Sequence, residues 1–495
     1  MEFTSTRAIK DFKSAQAITN GISQEGGLFV PTSFPSLSKD LITKMVDMDY
    51  KQRAVEVLRL YLTDFTEEEL KYCVEGAYEG KFDNNNPAPL AMINNKASML
   101  ELWHGPTCAF KDMALQLLPY LLTTSAKKVA DGKTMVILVA TSGDTGKAAL
   151  DGFADVENTK ILVFYPVDGV SPMQKLQMTT QTGSNVAVCA IEGNFDDAQT
   201  GVKKIFTNDE MRNLLKENNM EFSSANSINF GRLVPQIVYY VSAYCDLLKE
   251  GRLADGDKFN VVVPTGNFGN ILAAYYAKQM GIPIGKFICA SNKNNILTDF
   301  INSGVYDRNR DFFTTTSPSM DILISSNLER LLYELYDHNE TKIADLMNAL
   351  STNGKYEIDT EVLAKLKAEF VGGCCDDEQT AKTIEKMFKE YNYLCDTHTA
   401  VAVKVYEDYV KQTSDETQTV IVSTASPYKF AQSVLSAVDT LDGTDSEFDM
   451  VEKLSNVTKT DIPKSLADLK SREILHKSCV KKEEMSDFIK NSLNV

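Results

Sequence analysis

Six short stretches of this chain are nearly unbroken runs of apolar residues: "MVILVAT" (135–141), "KILVFYP" (160–166), "VAVCAI" (186–191), "FNVVVPT" (259–265), "KFICAS" (286–291) and "TVIVST" (419–424). A strand with one wet face alternates polar and apolar residues, whereas a strand covered on both faces shows no alternation. Helical patterns lie between these runs, and strand alternating with helix builds parallel sheets flanked by helices. The expectation is an α/β protein with open, twisted, mainly parallel sheets. A helical and charged stretch, roughly 325 to 412, interrupts the series before its last strand.

At 495 residues the chain exceeds what one hydrophobic core supports, so several domains are expected. Residues 1–90 read as a mostly helical domain, 91–230 as a smaller α/β domain and 231–495 as a larger one, with segments free to interchange. In "FTEEELKYCVEGAY", Thr66 and Glu69 form a capping box, and Phe65 with Leu70 a hydrophobic staple. Leu70, Cys73, Val74 and Ala77 then share one helical face. "DNNNPAPLAMINN" (83–95) reads as a linker, and the tail from about 440 as polar and helical.

The charge balance narrows the function classes. A net charge of −17 repels a polyanion and argues against nucleic acid as a partner. The nine cysteines include no CxxC pair, which suggests reduced thiols in a cytoplasmic protein. Four histidines without an HExxH motif or clustered Cys/His spacing give no metal centre. No apolar run approaches the about 18 residues of a membrane span, and the N-terminus lacks a leader-like apolar core.

In an open α/β sheet, ligands collect beyond the carboxyl ends of the strands. Three such turns are unusual. In "VVVPTGNFGNILAAYY", the segment Gly266-Asn267-Phe268-Gly269-Asn270 lies between strand and helix. Its glycines are expected to supply positive φ and close approach, so that amide N–H groups and the helix start face one anion. The loop contains no lysine, which suits a dianion that is held and never reacts; a plain glycine turn fits the local pattern equally well. In "ILVATSGDTGKAALDGFA", Thr141 and Ala148 break the P-loop pattern, and no dinucleotide glycine fingerprint occurs in the chain. What remains is Ser142-Gly143-Asp144-Thr145-Gly146, a cradle for a carboxylate or phosphate, although Asp144 or Thr145 serves equally as an N-cap. In "TVIVSTASPYKF", Ser423, Thr424 and Ser426 crowd a strand end, where a hydroxyl can meet a neutral ring nitrogen or cap the next helix.

The stretch "HGPTCAFKDMALQ" (104–116) sets Lys111 among Ala109, Phe110 and Met113. By default such a lysine snorkels to water. Desolvation there would disfavour the ammonium and leave an amine usable as nucleophile and base. A lysine, a phosphate cradle and a ring-nitrogen hydroxyl are the parts a pyridoxal phosphate enzyme needs. With "TSTRAIKDFKSAQAITNGISQEGGLFVP", "ELWHGPTCAFKD", "ATSGDTGKAA", "SANSINFGRLVPQIVYY", "PTGNFGN", "PSMDILISSNLERLL", "DTHTAVAV" and "STASPYKF", the chain resembles the threonine synthases of the longer bacterial and fungal class, within fold type II of the pyridoxal phosphate enzymes.

The resemblance implies a tryptophan synthase β-like fold and conversion of O-phospho-L-homoserine and water to L-threonine and phosphate, the last step of threonine biosynthesis. It implies that Lys111 is the Schiff-base lysine, that Gly266, Asn267, Phe268, Gly269 and Asn270 surround the cofactor phosphate, and that Thr424 faces the pyridine nitrogen. Freed Lys111 would shuttle protons, and a neutral partner at the ring nitrogen favours elimination over transamination. Related enzymes often have asparagine beside the cofactor 3′-oxygen, where this chain has Asp144; an aspartate donates a hydrogen bond only when protonated. Ser142, Gly143, Asp144 and Thr145 are expected to meet the substrate carboxylate. Lys147, Arg232 and Lys429 are the cations considered for its phosphate, each readable also as a surface charge. Asn226, Ser227 and Asn229 suit either a polar lining or a turn, and His104 either contacts substrate or braces its loop. Closure of one domain over the other is expected, in a monomer or homodimer.

Overall fold

The computed structural model describes residues 1–141, 143–168, 170–440 and 446–495. Strands β1 (Phe3–Ser5), β2 (Ala8–Phe12) and β3 (Phe29–Pro31) make a small antiparallel sheet, in the order β2-β1-β3. Helices at Ser14–Asn20, Lys39–Val46, Tyr50–Tyr61 and Glu67–Tyr78 fill most of the remaining N-terminal segment. The last starts at the expected capping box: Glu69 N–H donates to Thr66 Oγ1 at 3.2 Å, and Thr66 N–H donates to Glu69 Oε2 at 2.8 Å. A cap of this kind stabilises a helix by about 1 kcal/mol, and Leu70, Cys73, Val74 and Ala77 are buried as the periodicity requires.

Along the rest of the chain come β4 (Leu90–Met92), β5 (Ala97–Glu101), β6 (Thr134–Ala140), β7 (Thr159–Pro166), β8 (Val186–Glu192) and β9 (Met220–Ser223). They are followed by β10 (Phe259–Pro264), β11 (Ile284–Ser291), β12 (Val305–Asp307), β13 (Lys355–Glu357), β14 (Phe370–Cys374), β15 (Thr419–Ser423) and β16 (Ser478–Lys481). One sheet has the order β14-β11-β10-β15-β5-β4, parallel except for β4 at its edge. A second, β16-β8-β7-β6-β9, is parallel throughout. The architecture is α/β with two open, mainly parallel sheets, and each of the six apolar runs is a strand. β10 is buried along its whole length, which is why its sequence has no alternation.

Segments cross between the sheets. β4 and β5 precede all the strands of the smaller sheet yet belong to the larger, and β16 returns from the C-terminal tail to the edge of the smaller. Three local expectations change. The presumed linker 83–95 contains β4, the helical stretch 325–412 contains β13 and β14, and the helical tail contains β16. β14 escapes a hydropathy reading because its centre is Gly372-Gly373. A Cβ on Gly373 would lie 2.6 Å from Val405, and one on Gly372 3.0 Å from the Thr298 backbone, so close helix packing excludes larger residues. The carboxyl ends of β5, β10 and β15 in one sheet, and of β6 in the other, lead into the turns that make up the candidate site.

Candidate active site

Beyond β5 the chain runs to a single helical turn, Asp112–Leu115, with Lys111 at its start. Backbone bonds stitch this loop to the end of β15. Phe110 N–H donates to Thr424 O at 2.8 Å, Ser426 N–H donates to Cys108 O at 3.0 Å, and Ala109 bridges Ala425. Lys111 and Thr424, far apart in sequence, are thus neighbours through main-chain contacts alone. Thr424 is 5% exposed. Cys108 sits at φ +58°, a left-handed conformation that costs of order 1–3 kcal/mol for a non-glycine residue. Asp112, fully buried, accepts from Thr107 N–H at 2.8 Å and Thr107 Oγ1 at 2.6 Å. Burial pushes its carboxyl up to about 7 against the pull of those bonds.

The Lys111 side chain is 13% exposed; Nζ lies 3.2 Å from Ser319 Oγ and 3.6 Å from Asp144 Oδ2. Burial holds the ammonium below its usual range, Lys429 and Arg232 add to that by repulsion, and Asp144 opposes it. Asp144 is itself paired with Lys429 at 2.8 Å, and Gln174 Nε2 donates to the same Oδ1 at 3.3 Å. Burial alone would raise the Asp144 carboxyl, but Lys429 and Lys111 overcome it and hold the group well below the usual carboxylate range. Asp144 is therefore ionised and only accepts hydrogen bonds, a different chemistry from asparagine at such a position. Lys429 Nζ also donates to Thr107 O at 2.7 Å, so this lysine serves as the counter-ion of Asp144.

β10 ends in the loop 266–270, whose Gly266 lies against the carbonyl of Ser319, the residue that meets Lys111. The peptide carbonyl of Gly266 accepts from Ser325 Oγ at 2.7 Å, and that of Asn267 accepts from Asn327 N and Nδ2, each at 3.0 Å. In a trans peptide the N–H points opposite to the C=O. The N–H groups of Asn267 and Phe268 accordingly face away from residues 325–327, and neither meets another described residue. The helix Gly269–Gln279 adds its own free first N–H groups. Positive φ falls on Phe268 (+63°) and on neither glycine, contrary to expectation. Gly266 is instead required by contact, since its Cβ would lie 2.6 Å from Ser319 O, whereas a Cβ on Gly269 would meet nothing closer than 3.5 Å. Asn270 is buried; its Oδ1 accepts from Tyr240, while its Nδ2 donor has no partner among the described residues. Unclaimed amides beside an orphaned buried donor are what a phosphate dianion satisfies.

Arg232 is 4% exposed, gives Nη1 to Ala225 O at 2.6 Å, and leaves Nε without a partner among the described residues. Burial pulls its guanidinium down to about 10, and its charge is felt at Lys111. The other residues expected at the site are placed as follows. Lys147 is bound to Asp151 at 3.1 Å and to Gln181. Asn229 caps the helix Phe230–Lys249, and the Ser227 carbonyl accepts from Asn327 Nδ2 at 3.3 Å. Asn226 is exposed. His104 braces its loop between Asp83 at 2.7 Å and Glu101 at 2.8 Å; burial opposes its charge, but the two carboxylates bring it up to about 9. Gly143 and Thr145 lie at the start of the helix Asp144–Phe153, and Ser142 lies outside the described residues.

Sequence reading missed Ser319, Asn327 and Arg330. Arg330, fully buried, donates to Phe29 O at 2.9 Å and Ile228 O at 2.6 Å and also reaches Asn327, tying the N-terminal sheet to the loop behind the cradle. The quoted motifs containing these residues were the signal, but no local pattern announces a contact made across the fold. Among the described residues no group of three or more His, Cys, Asp or Glu could hold a metal ion, and no helix is long and apolar enough to cross a membrane.

Comparison with known proteins matches residues 2–78 to "Threonine synthase N terminus", 99–425 to "Pyridoxal-phosphate dependent enzyme" and 399–489 to "Threonine synthase, C-terminal". The chain is 41% identical to Threonine synthase-like 1 of Homo sapiens over 86% of its own length and 58% of that protein's, so it spans under two thirds of that relative. It is 35% identical to the threonine synthase of Saccharomyces cerevisiae, over 92% of this chain and 94% of that one. The crystal structure of PLP-bound threonine synthase from Brucella melitensis superposes with a TM-score of 0.90 at 34% identity, covering 100% of both chains. Such agreement over the whole length, in sequence and in fold, means that the chain belongs to the threonine synthase family of pyridoxal-phosphate dependent enzymes.

Proposed function

We propose that the protein converts O-phospho-L-homoserine and water to L-threonine and phosphate, with pyridoxal 5′-phosphate carried on Lys111. The observation that carries this reading is the placement of one desolvated amine, held by its own backbone beside Thr424 and joined through Ser319 to a loop of unclaimed amides. The Gly266–Asn270 loop would receive the cofactor phosphate, and the Thr424 hydroxyl its ring nitrogen. Bound there, the cofactor supplies an electron sink for the substrate α-carbon.

The chain's own residues would do the rest. Burial enlarges the neutral fraction of Lys111, which suits it to take a proton from carbon and return it. Ser319 and Asp144 receive the ammonium that results. Because Asp144 is neutralised by Lys429, the pair does not repel an anionic substrate, and the backbone at the start of the helix Asp144–Phe153 can take the carboxylate, with Ser142 and Thr145 beside it. Arg232, a buried cation with no carboxylate partner among the described residues, is assigned to the substrate phosphate. Asn226 would line the entrance. All nine cysteines are free, which supports a reducing, cytoplasmic setting, and the protein would act as a monomer or homodimer.

Phosphate and threonine measured together from O-phospho-L-homoserine test the reading. Equal yields from wild type and a loss of roughly 10²–10⁴-fold in Lys111→Ala are expected. Phosphate without threonine would make the protein an elimination enzyme, and no turnover with cofactor bound would refute the assignment.

A further inference from the structure

Behind Ser319 lies a buried cluster that the steps above leave unused. The helix Thr397–Thr413 starts at Asp396, which is 0% exposed. Its Oδ1 accepts from Thr399 N–H at 3.1 Å and from the Thr399 hydroxyl, and its Oδ2 accepts from His398 N–H at 2.9 Å. The same Oδ2 lies 2.7 Å from His398 Nδ1. On the far side of the ring, Nε2 is 3.1 Å from the backbone nitrogen of Ser319. An amide N–H only donates, so Nε2 is the bare nitrogen and the ring proton sits on Nδ1, aimed at Asp396. Contacts at both ends thus fix one tautomer.

Ser319, held this way, turns Oγ to Lys111 Nζ at 3.2 Å, while its carbonyl closes on Gly266. The other arm of the cluster, Thr399 Oγ1, is 3.1 Å from Ser423 Oγ, next to Thr424. A helix cap requires only an accepting oxygen at Asp396. It does not require a histidine that reaches across the fold to accept an amide beside the reactive lysine.

We propose that Asp396 and His398 are positioning residues that fix Ser319 as the acceptor for the Lys111 Nζ–H and so set how readily Lys111 releases its proton. The inference rests on the cofactor reading of Lys111. The groups facing Lys111 are Asp144, Lys429 and Arg232 by charge, Ser319 by hydrogen bond and the Phe110 ring at 5.8 Å. Those facing His398 are Asp396, the Phe430 ring at 4.8 Å and, by charge, Asp144. Ser319 and Asp144 both favour the protonated nitrogen, against burial and the two cations.

The test uses the full-length, cofactor-loaded protein and follows the pH titration of the cofactor's visible absorption, alongside kcat and KM. Asp396→Asn keeps a capping oxygen but offers an amide to Nδ1. The ring proton then moves to Nε2 and opposes the Ser319 N–H, the wrong-tautomer effect known from catalytic triads. His398→Gln keeps an acceptor near the Nε2 position, and His398→Leu does not. In Ser319→Ala and Asp396→Asn the titration midpoint is expected to fall by about one pH unit, the lower end of what a hydrogen bond to a charged group contributes. Their kcat should drop by roughly tenfold with KM little changed, while His398→Gln stays near wild type. Wild-type midpoints in both Ser319→Ala and Asp396→Asn, or identical behaviour of His398→Gln and His398→Leu, would overturn the proposal. Should Asp396→Asn fail to fold, Ser319→Ala and the His398 pair decide it. A wild-type protein with no visible band would overturn the cofactor reading itself.

Discussion

Arg232 and Lys429 are both buried cations near Lys111, yet among the described residues only Lys429 has a carboxylate at hydrogen-bond distance. An unpaired buried charge is costly, whereas removing one member of a buried pair leaves the other stranded, at about 3–5 kcal/mol. Opposite consequences follow. Arg232→Met should stabilise the cofactor-free protein by about 1–3 kcal/mol and raise KM for the phosphorylated substrate at least roughly tenfold, about what one charge-assisted contact contributes. Lys429→Met should destabilise, because Asp144 loses its closer cation and keeps only Lys111 at 3.6 Å and the Gln174 amide among the described residues. Thermal unfolding of the two variants, read with their KM values, checks the contrast; an Arg232 variant that is less stable and binds substrate normally would show the arginine to be structural.

The strand–loop–helix unit at 259–279 shows how much of the site can be read from sequence. The strand was legible because "FNVVVPT" is apolar without interruption, and the two glycines after it marked the loop that we propose as the anion cradle. The reason for the glycines was not legible. Positive φ falls on Phe268, whose ring stacks against Phe370 at 6.0 Å, while Gly266 is small because Ser319 O occupies the space beside it. That contact joins residues more than fifty positions apart, and no periodicity encodes it. Gly266→Ala should therefore lose bound cofactor, whereas Gly269→Ala, with 3.5 Å of clearance, should retain it; cofactor content after purification measures both. The ionised state of Asp144 was equally hidden, since it depends on Lys429 arriving from another turn. The short strands went unseen for related reasons: β14 is glycine-rich where helices press on it, and β16 is largely exposed at a sheet edge.

At the scale of the molecule, the two sheets are built from interleaved segments. β16 covers the outer side of β8 through pairings from Ser478–Cys189 to Lys481–Glu192. A chain shortened to residue 476 would lose the helix Met485–Leu493, with its buried Met485, Ile489 and Leu493, and would leave β8 as a bare parallel edge, which readily pairs with other molecules. Reduced soluble yield and higher oligomers in sedimentation are expected; a soluble protein melting like wild type would show the edge to be harmless. The same geometry imposes an order on biosynthesis. At ribosomal rates β8 emerges on the order of tens of seconds before β16 is translated, so each nascent polypeptide carries an unfinished sheet that other molecules in the cell must tolerate or shield.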